Sequence, residues 1–175
     1  REIEHKQCLA VSLNNLAKVF FEKGEFMKAK NVVSESLSVS RETGRKQETA
    51  VSLYISGRIL LKESKIEEAR KDFIESLTLG HLLGAKVECI YNILILSNIR
   101  IRLKDFAAAK MVGSVENYFK TNNLKLPESE QSVFNDLMSE LTGKITEEEL
   151  LKYFEEGKTL KFDHVVEIAL KSGKN

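Results

Sequence analysis

At 175 residues, with 42% hydrophobic and 30% charged side chains, the chain is long enough to bury one ordinary globular core. A net charge of +1 excludes the whole-molecule field that draws a protein to nucleic acid or a membrane surface. No apolar run approaches the roughly 20 residues of a membrane span.

One proline and nine glycines leave long uninterrupted stretches, which favours helices over many short strands. Charge is spread unevenly: residues 1–110 carry 19 basic and 14 acidic side chains, and residues 111–175 carry 8 and 12. The front is therefore mildly basic and the tail mildly acidic. Cys8 and Cys89 lie in apolar helical patterns without CxxC spacing. Read as two buried free thiols, they suit a reducing, cytoplasmic compartment. The start at Arg1, with neither signal peptide nor initiator methionine, has two readings, a processed start and a fragment of a larger protein, of which the fragment is the expectation.

The first predicted helix carries the stripe Leu9, Leu13, Leu16, Ala17, Phe20 and Phe21, at the spacing of one helix face. Gly24 interrupts it, and Phe26, Ala29, Val32, Val33 and Leu37 begin a second stripe. The pattern then recurs. Ala-Val-Ser-Leu at 10–13 is repeated at 50–53, and Leu13, Leu53 and Ile93 are spaced by 40 residues. The same period relates Ala17, Gly57 and Ser97, then Phe26, Ile66 and Phe106, then Ala29, Ala69 and Ala109. Three units of two helices each therefore cover residues 7–126, with breaks near Ser64 and at Lys104–Asp105.

Small residues at these positions allow two antiparallel helices to approach closely. The spacing Leu13-x2-Leu16-Ala17-x2-Phe20 with Ala29-x3-Val33 follows the tetratricopeptide pattern, as does Leu53-x2-Ser56-Gly57-x2-Leu60 with Ala69-x3-Phe73. The third unit departs, with Arg100 at a large apolar position and Gly113 at the late aromatic one. A period of 40 rather than 34 adds six residues, placed around 40–47 and 80–86. HEAT-type repeats share such periods and are the rival.

Residues 127–175 do not repeat and read as a helical cap over the last unit. Pro127 suits a first helical turn, ahead of a helix burying Val133, Phe134, Leu137, Met138 and Leu141 and ending at Gly143. Thr146 and Glu149 form a capping box for a short helix that Gly157 ends. A last helix presents Phe162, Val165, Val166, Ile168, Ala169 and Leu170. The expected fold is an all-α, tetratricopeptide-like superhelix of three helical hairpins (1–126) with a C-terminal helical cap (127–175).

The segments Glu-Ser-Leu-Ser-Val-Ser-Arg-Glu-Thr-Gly at 35–44 and Glu-Ser-Leu-Thr-Leu-Gly at 75–80 carry a resemblance. So do Ala109-Lys-Met-Val-Gly113, Leu126-Pro127-x-Ser-Glu130 and Tyr153-Phe-Glu-Glu-Gly157-Lys-x-Leu160 through Val165–Leu170. Over nearly the whole chain these resemble the C-terminal tetratricopeptide domains of large bacterial signalling ATPases. Those are LuxR/MalT-like and antibiotic-regulator-like proteins and related chains bearing kinase or cyclase domains. The resemblance implies a sensing or partner-binding arm beside a nucleotide switch domain.

No phosphate loop, HExxH helix, zinc spacing or nucleophile elbow occurs, so no catalytic residue, metal or cofactor is expected. His5, His81 and His164 stand far apart, and Glu147, Glu148 and Glu149 suit a helix N-terminus. The candidate site is instead a concave groove lined by the first helices. Asn14, Lys18 and Phe21, then Tyr54, Arg58 and Leu61, then Leu94, Asn98 and Ile101 hold equivalent positions. Lys18 and Arg58 would pair with a carboxylate of an extended, acidic protein segment. The competing readings are solvated charges beside a filled groove and a groove that binds a metabolite.

Overall fold

The computed structural model describes the backbone of residues 2–171 and the side chains of residues 8–171. His5 lies outside the described side chains. The described residues are all-α: α1 (Glu2–Glu22), α2 (Phe26–Glu42), α3 (Lys46–Lys62), α4 (Ile66–Leu82), α5 (Lys86–Arg102), α6 (Ala109–Thr121), α7 (Glu128–Thr142), α8 (Glu147–Lys158) and α9 (Phe162–Leu170). A 3-10 turn, Phe106–Ala108, leads into α6. None of these helices is long and apolar enough to cross a membrane. The chain divides into two compact units, residues 1–86 and 87–175.

The 40-residue period is visible in the backbone. Helices α2, α3, α4 and α5 are each 17 residues long, and three-residue turns separate α2 from α3, α3 from α4 and α4 from α5. Each turn is the same device. At Gly24, Gly44, Ser64, Gly84, Lys104 and Asn123 the chain enters positive φ, between 51° and 76°. At the first of these, Gly24 donates to the Phe21 carbonyl and Glu25 to the Phe20 carbonyl, and the other five repeat this pair of bonds. This closure satisfies carbonyls that a helix end would otherwise leave bare.

In the first unit α1 pairs with α2, α3 with α4, and α3 also packs on α1 and α2. Ala17, Phe21, Ala29 and Val33 of the first hairpin form a core with Ile55 and Ile59 of α3. Ala29 and Ala69 are fully buried, as their register requires. The pairs across each hairpin are complementary in size. A Cβ on Gly57 would lie 2.7 Å from Cζ of the buried Phe73 ring. The equivalent pair in the first hairpin is Ala17 and the smaller Val33. Serines tie helices at the same period: Ser36 Oγ lies 3.0 Å from the Ala10 carbonyl, and Ser76 Oγ lies 2.8 Å from the Ala50 carbonyl.

Three expectations for this unit are corrected. Leu9 and Leu16 are exposed, because the buried face of α1 turns through Leu13, Ala17 and Phe21 instead. Cys8 is likewise exposed, and only Cys89 is buried. The thiol of Cys89 is pushed up to about 11 by burial.

The second unit explains why the third repeat departs from its pattern. Helix α8 lies along α6, and α9 also touches α6. A Cβ on Gly113 would lie 2.7 Å from the Phe154 Cα, and one on Gly157 would lie 2.1 Å from the Lys110 carbonyl oxygen. The two glycines let the backbones cross. Gly157 therefore does not end α8, which runs on to Lys158; it sits at the crossing. Arg100 is equally purposeful. Its guanidinium pairs with Asp105 at 2.6 Å and donates to the Ile168 carbonyl at 3.2 Å, near the C-terminus of α9 where a cation is favoured. Leu137 and Leu141 anchor α7, with Val133, Phe134 and Met138 half-buried and Gly143 following the last turn. The Thr146–Glu149 capping box is formed.

Three substitutions test these contacts. Gly57→Ala is expected to cost about 1–3 kcal/mol through the collision with Phe73. Adding Phe73→Val, which recreates the Ala17–Val33 pair, is expected to give a coupling of about 1 kcal/mol or more in a denaturation cycle. Strict additivity would contradict the contact. Gly157→Ala, which in an open helix would gain about 1 kcal/mol, is expected to lose about 3 kcal/mol because backbone atoms cannot yield. A raised denaturation midpoint would overturn the crossing.

Candidate functional site

The nine positions expected to line a groove separate into distinct environments. In the first unit, α1 and α3 bring Phe21, Tyr54 and Arg58 together. The Arg58 guanidinium lies over the Phe21 ring, 4.5 Å from its centroid, and 5.8 Å from that of Tyr54. Both rings are held edge-on by aromatics of the second helices. Phe21 meets Phe26 at 5.4 Å, and Tyr54 meets Phe73 at 5.8 Å. Phe21 itself is corrected from a groove residue to a core residue, at 9% exposure, whereas Lys18, one helical turn before it, is exposed and Leu61 is half-buried. The result is a cation braced on two rings, with a second cation on the adjoining helix.

Stacking suits guanidinium because its faces are weakly hydrated, and its attraction to ring faces is worth about 0.5–1 kcal/mol at partly exposed sites. A stacked guanidinium retains the geometry to pair in its own plane with a carboxylate. Arg58 is half-buried, however, and its packing against Phe21 means that it also holds α3 to α1.

Asn14 is corrected from a groove residue to a buried one, at 4% exposure. Its Nδ2 donates to the Glu48 carbonyl at 3.0 Å, and its Oδ1 lies 2.9 Å from Ser36 Oγ and 2.6 Å from Ser52 Oγ. The amide thus faces α2 and α3. The Glu48 side chain turns to Arg45, whose Nη2 lies 2.6 Å from Glu48 Oε1.

In the second unit Leu94 and Ile101 are buried, at 1% and 0% exposure, so neither presents a surface to a ligand. Helix α5 buries residues all round, from Ile90 through Ile101, which a single-face reading could not anticipate. Asn98 is half-buried. A half-open cleft of about 160 Å³ also lies in this unit, lined by Ile90, Ile93, Val115, Tyr118, Phe162 and Val165 among others. The cavity size that accepts benzene is about 150 Å³, so this cleft has room for little more than one ring.

Among the described residues, no three His, Cys, Asp or Glu converge as a metal site. His81 and His164 are exposed, and His164 Nδ1 lies 3.7 Å from Glu167. The Cys89 thiol lies within the core, and burial holds it in the protonated form at neutral pH. Glu149 accepts the backbone and side-chain bonds of Thr146, and these hold its carboxyl below the usual range. Its role is therefore at a helix end.

Sequence reasoning overlooked the cluster of Asn14, Ser36, Ser52 and Glu48. A signal was present in the serine at 36 and again at 76, one period later and on the second helix of each hairpin. Comparison with protein-family models, curated proteins and solved structures returns no match.

Proposed function

We propose that the chain is a tetratricopeptide-like superhelix that binds an extended, acidic protein segment and performs no chemistry. In this reading it is the cytoplasmic sensing or interaction arm of a larger signalling or transcription regulator. The observation that carries the binding role is the Arg58 guanidinium braced on Phe21 and Tyr54, with Lys18 exposed on the adjoining helix. The half-buried Tyr54 ring offers apolar contact, and the two cations offer the charge that a carboxylate needs. Matched size pairs and identical turns at a 40-residue period support the repeat assignment. The resemblance to regulators of the LuxR/MalT-like and antibiotic-regulator-like kind supports the wider context. A small-ligand sensor is the second reading, favoured by the cleft beside Tyr118 and Phe162.

The test is a titration of the chain against an array of extended peptides that vary in acidic and aliphatic content, at low and at physiological salt. Acidic–aliphatic peptides are expected to bind, more weakly as salt rises. The double variant Lys18→Glu with Arg58→Glu is expected to lose about 2 kcal/mol or more of that affinity. Because Arg58 is stacked, the variant is also expected to lose about 0.5–2 kcal/mol of stability, so affinities are compared at a temperature where both proteins are folded. Equal affinity for the two proteins, or no preference for acidic peptides, would overturn the reading.

A further inference from the structure

The 40-residue period allows the same surface to be compared on successive first helices. On α3, Glu48, Ser52, Ile55 and Ile59 are buried, and Val51 is half-buried. The cause is the hairpin that precedes them. Ser52 Oγ lies 3.0 Å from Ser36 Oγ, and Ile55, Ile59 and Val51 pack on Ala17, Phe21, Ala29 and Val33. The equivalent residues on α1 are Cys8, Val11, Ser12, Asn15 and Val19, and every one is exposed. Val11 and Val19 are 43% and 45% exposed, whereas Ile59 is 1% exposed. The face of α1 turned to its own hairpin partner keeps the register of α3: Ala10, Leu13 and Ala17 are buried like Ala50, Leu53 and Gly57.

We propose that this face of α1 is a docking surface for a further helical hairpin of the same 40-residue kind, whose second helix would lie on α1 as α2 lies on α3. The recognition chemistry follows from the α2–α3 contact. The incoming second helix carries a small hydroxyl residue at the place of Ser36, to meet Ser12, and a small residue at the place of Ser40, beside Leu9. Ser40 Oγ lies 3.1 Å from Thr49 Oγ in the observed contact. Leucine at position 9 is larger than threonine, so glycine suits that place better. Helix α4 has this composition, with Ser76 and Gly80 at the equivalent positions. The inference rests on the repeat geometry and is independent of the peptide-binding reading.

Cys8 reports on the face directly, since it is exposed there and Cys89 is buried. The experiment compares the full chain with two extended versions. In one, a copy of residues 46–85 is joined ahead of residue 6, so that position 85 runs into 6 as 45 runs into 46. In the other, a copy of residues 6–45 is joined at the same place. The rate at which a maleimide modifies Cys8 is followed by mass spectrometry of its peptide. At least one extended chain is expected to slow modification about tenfold or more, with the 46–85 copy the more effective. Val11→Glu with Val19→Glu in that chain is expected to restore the parental rate. Parental reactivity in both extended chains, folded or not, would overturn the proposal. So would protection that rises with concentration in the parent alone and disappears with the same two substitutions, because a second copy would then be the occupant.

Discussion

A buried amide must find every partner it lost from water, and in the first unit that requirement falls on Asn14. At 4% exposure it bonds the Glu48 carbonyl of α3 and lies within reach of Ser36 on α2 and Ser52 on α3. Three helices therefore share one polar centre. Such a centre has no useful alternative register, since a shift along any of the helices would strand a donor or acceptor in the core. The aromatic and aliphatic contacts around it, from Phe21 to Ile59, supply the larger burial but are less particular about position.

The second unit reaches specificity by a different route. Its helices come together where side chains are missing, at Gly113 and Gly157, and the backbone of α8 occupies the space. Arg100 then closes α9 through the Ile168 carbonyl while paired to Asp105. Both devices appear in sequence as failures of the repeat. They are the adaptations by which a repeat helix accepts a non-repeating partner, and they belong to packing rather than to chemistry.

Much of the fold was legible because the period is strong. The turns at 24, 64 and 104, the small residues at 17, 29, 57 and 69, and the Thr146 capping box were readable, whereas the turns at Gly44, Gly84 and Asn123 were not. The site was harder to read. Phe21, Tyr54 and Arg58 do meet, because α1 packs against α3 and the three face that contact. Asn14 lies one turn from Lys18 on α1, a rotation of only about 40°, yet that carries it from the exposed face into the contact with α2 and α3. Leu94 and Ile101 were misread for another reason: α5 is buried on several faces, and periodicity identifies a surface only when one face is wet.

The packing of α1, α2 and α3 depends most on Asn14, and equilibrium denaturation of Asn14→Ala measures that role. Losing the amide leaves a polar cavity and removes one bond each from the Glu48 carbonyl, Ser36 and Ser52. The expected loss is about 2–4 kcal/mol, seen as a lower midpoint at unchanged slope. A change within about 0.5 kcal/mol, the range of ordinary surface substitutions, would place Asn14 on an open face and contradict the account.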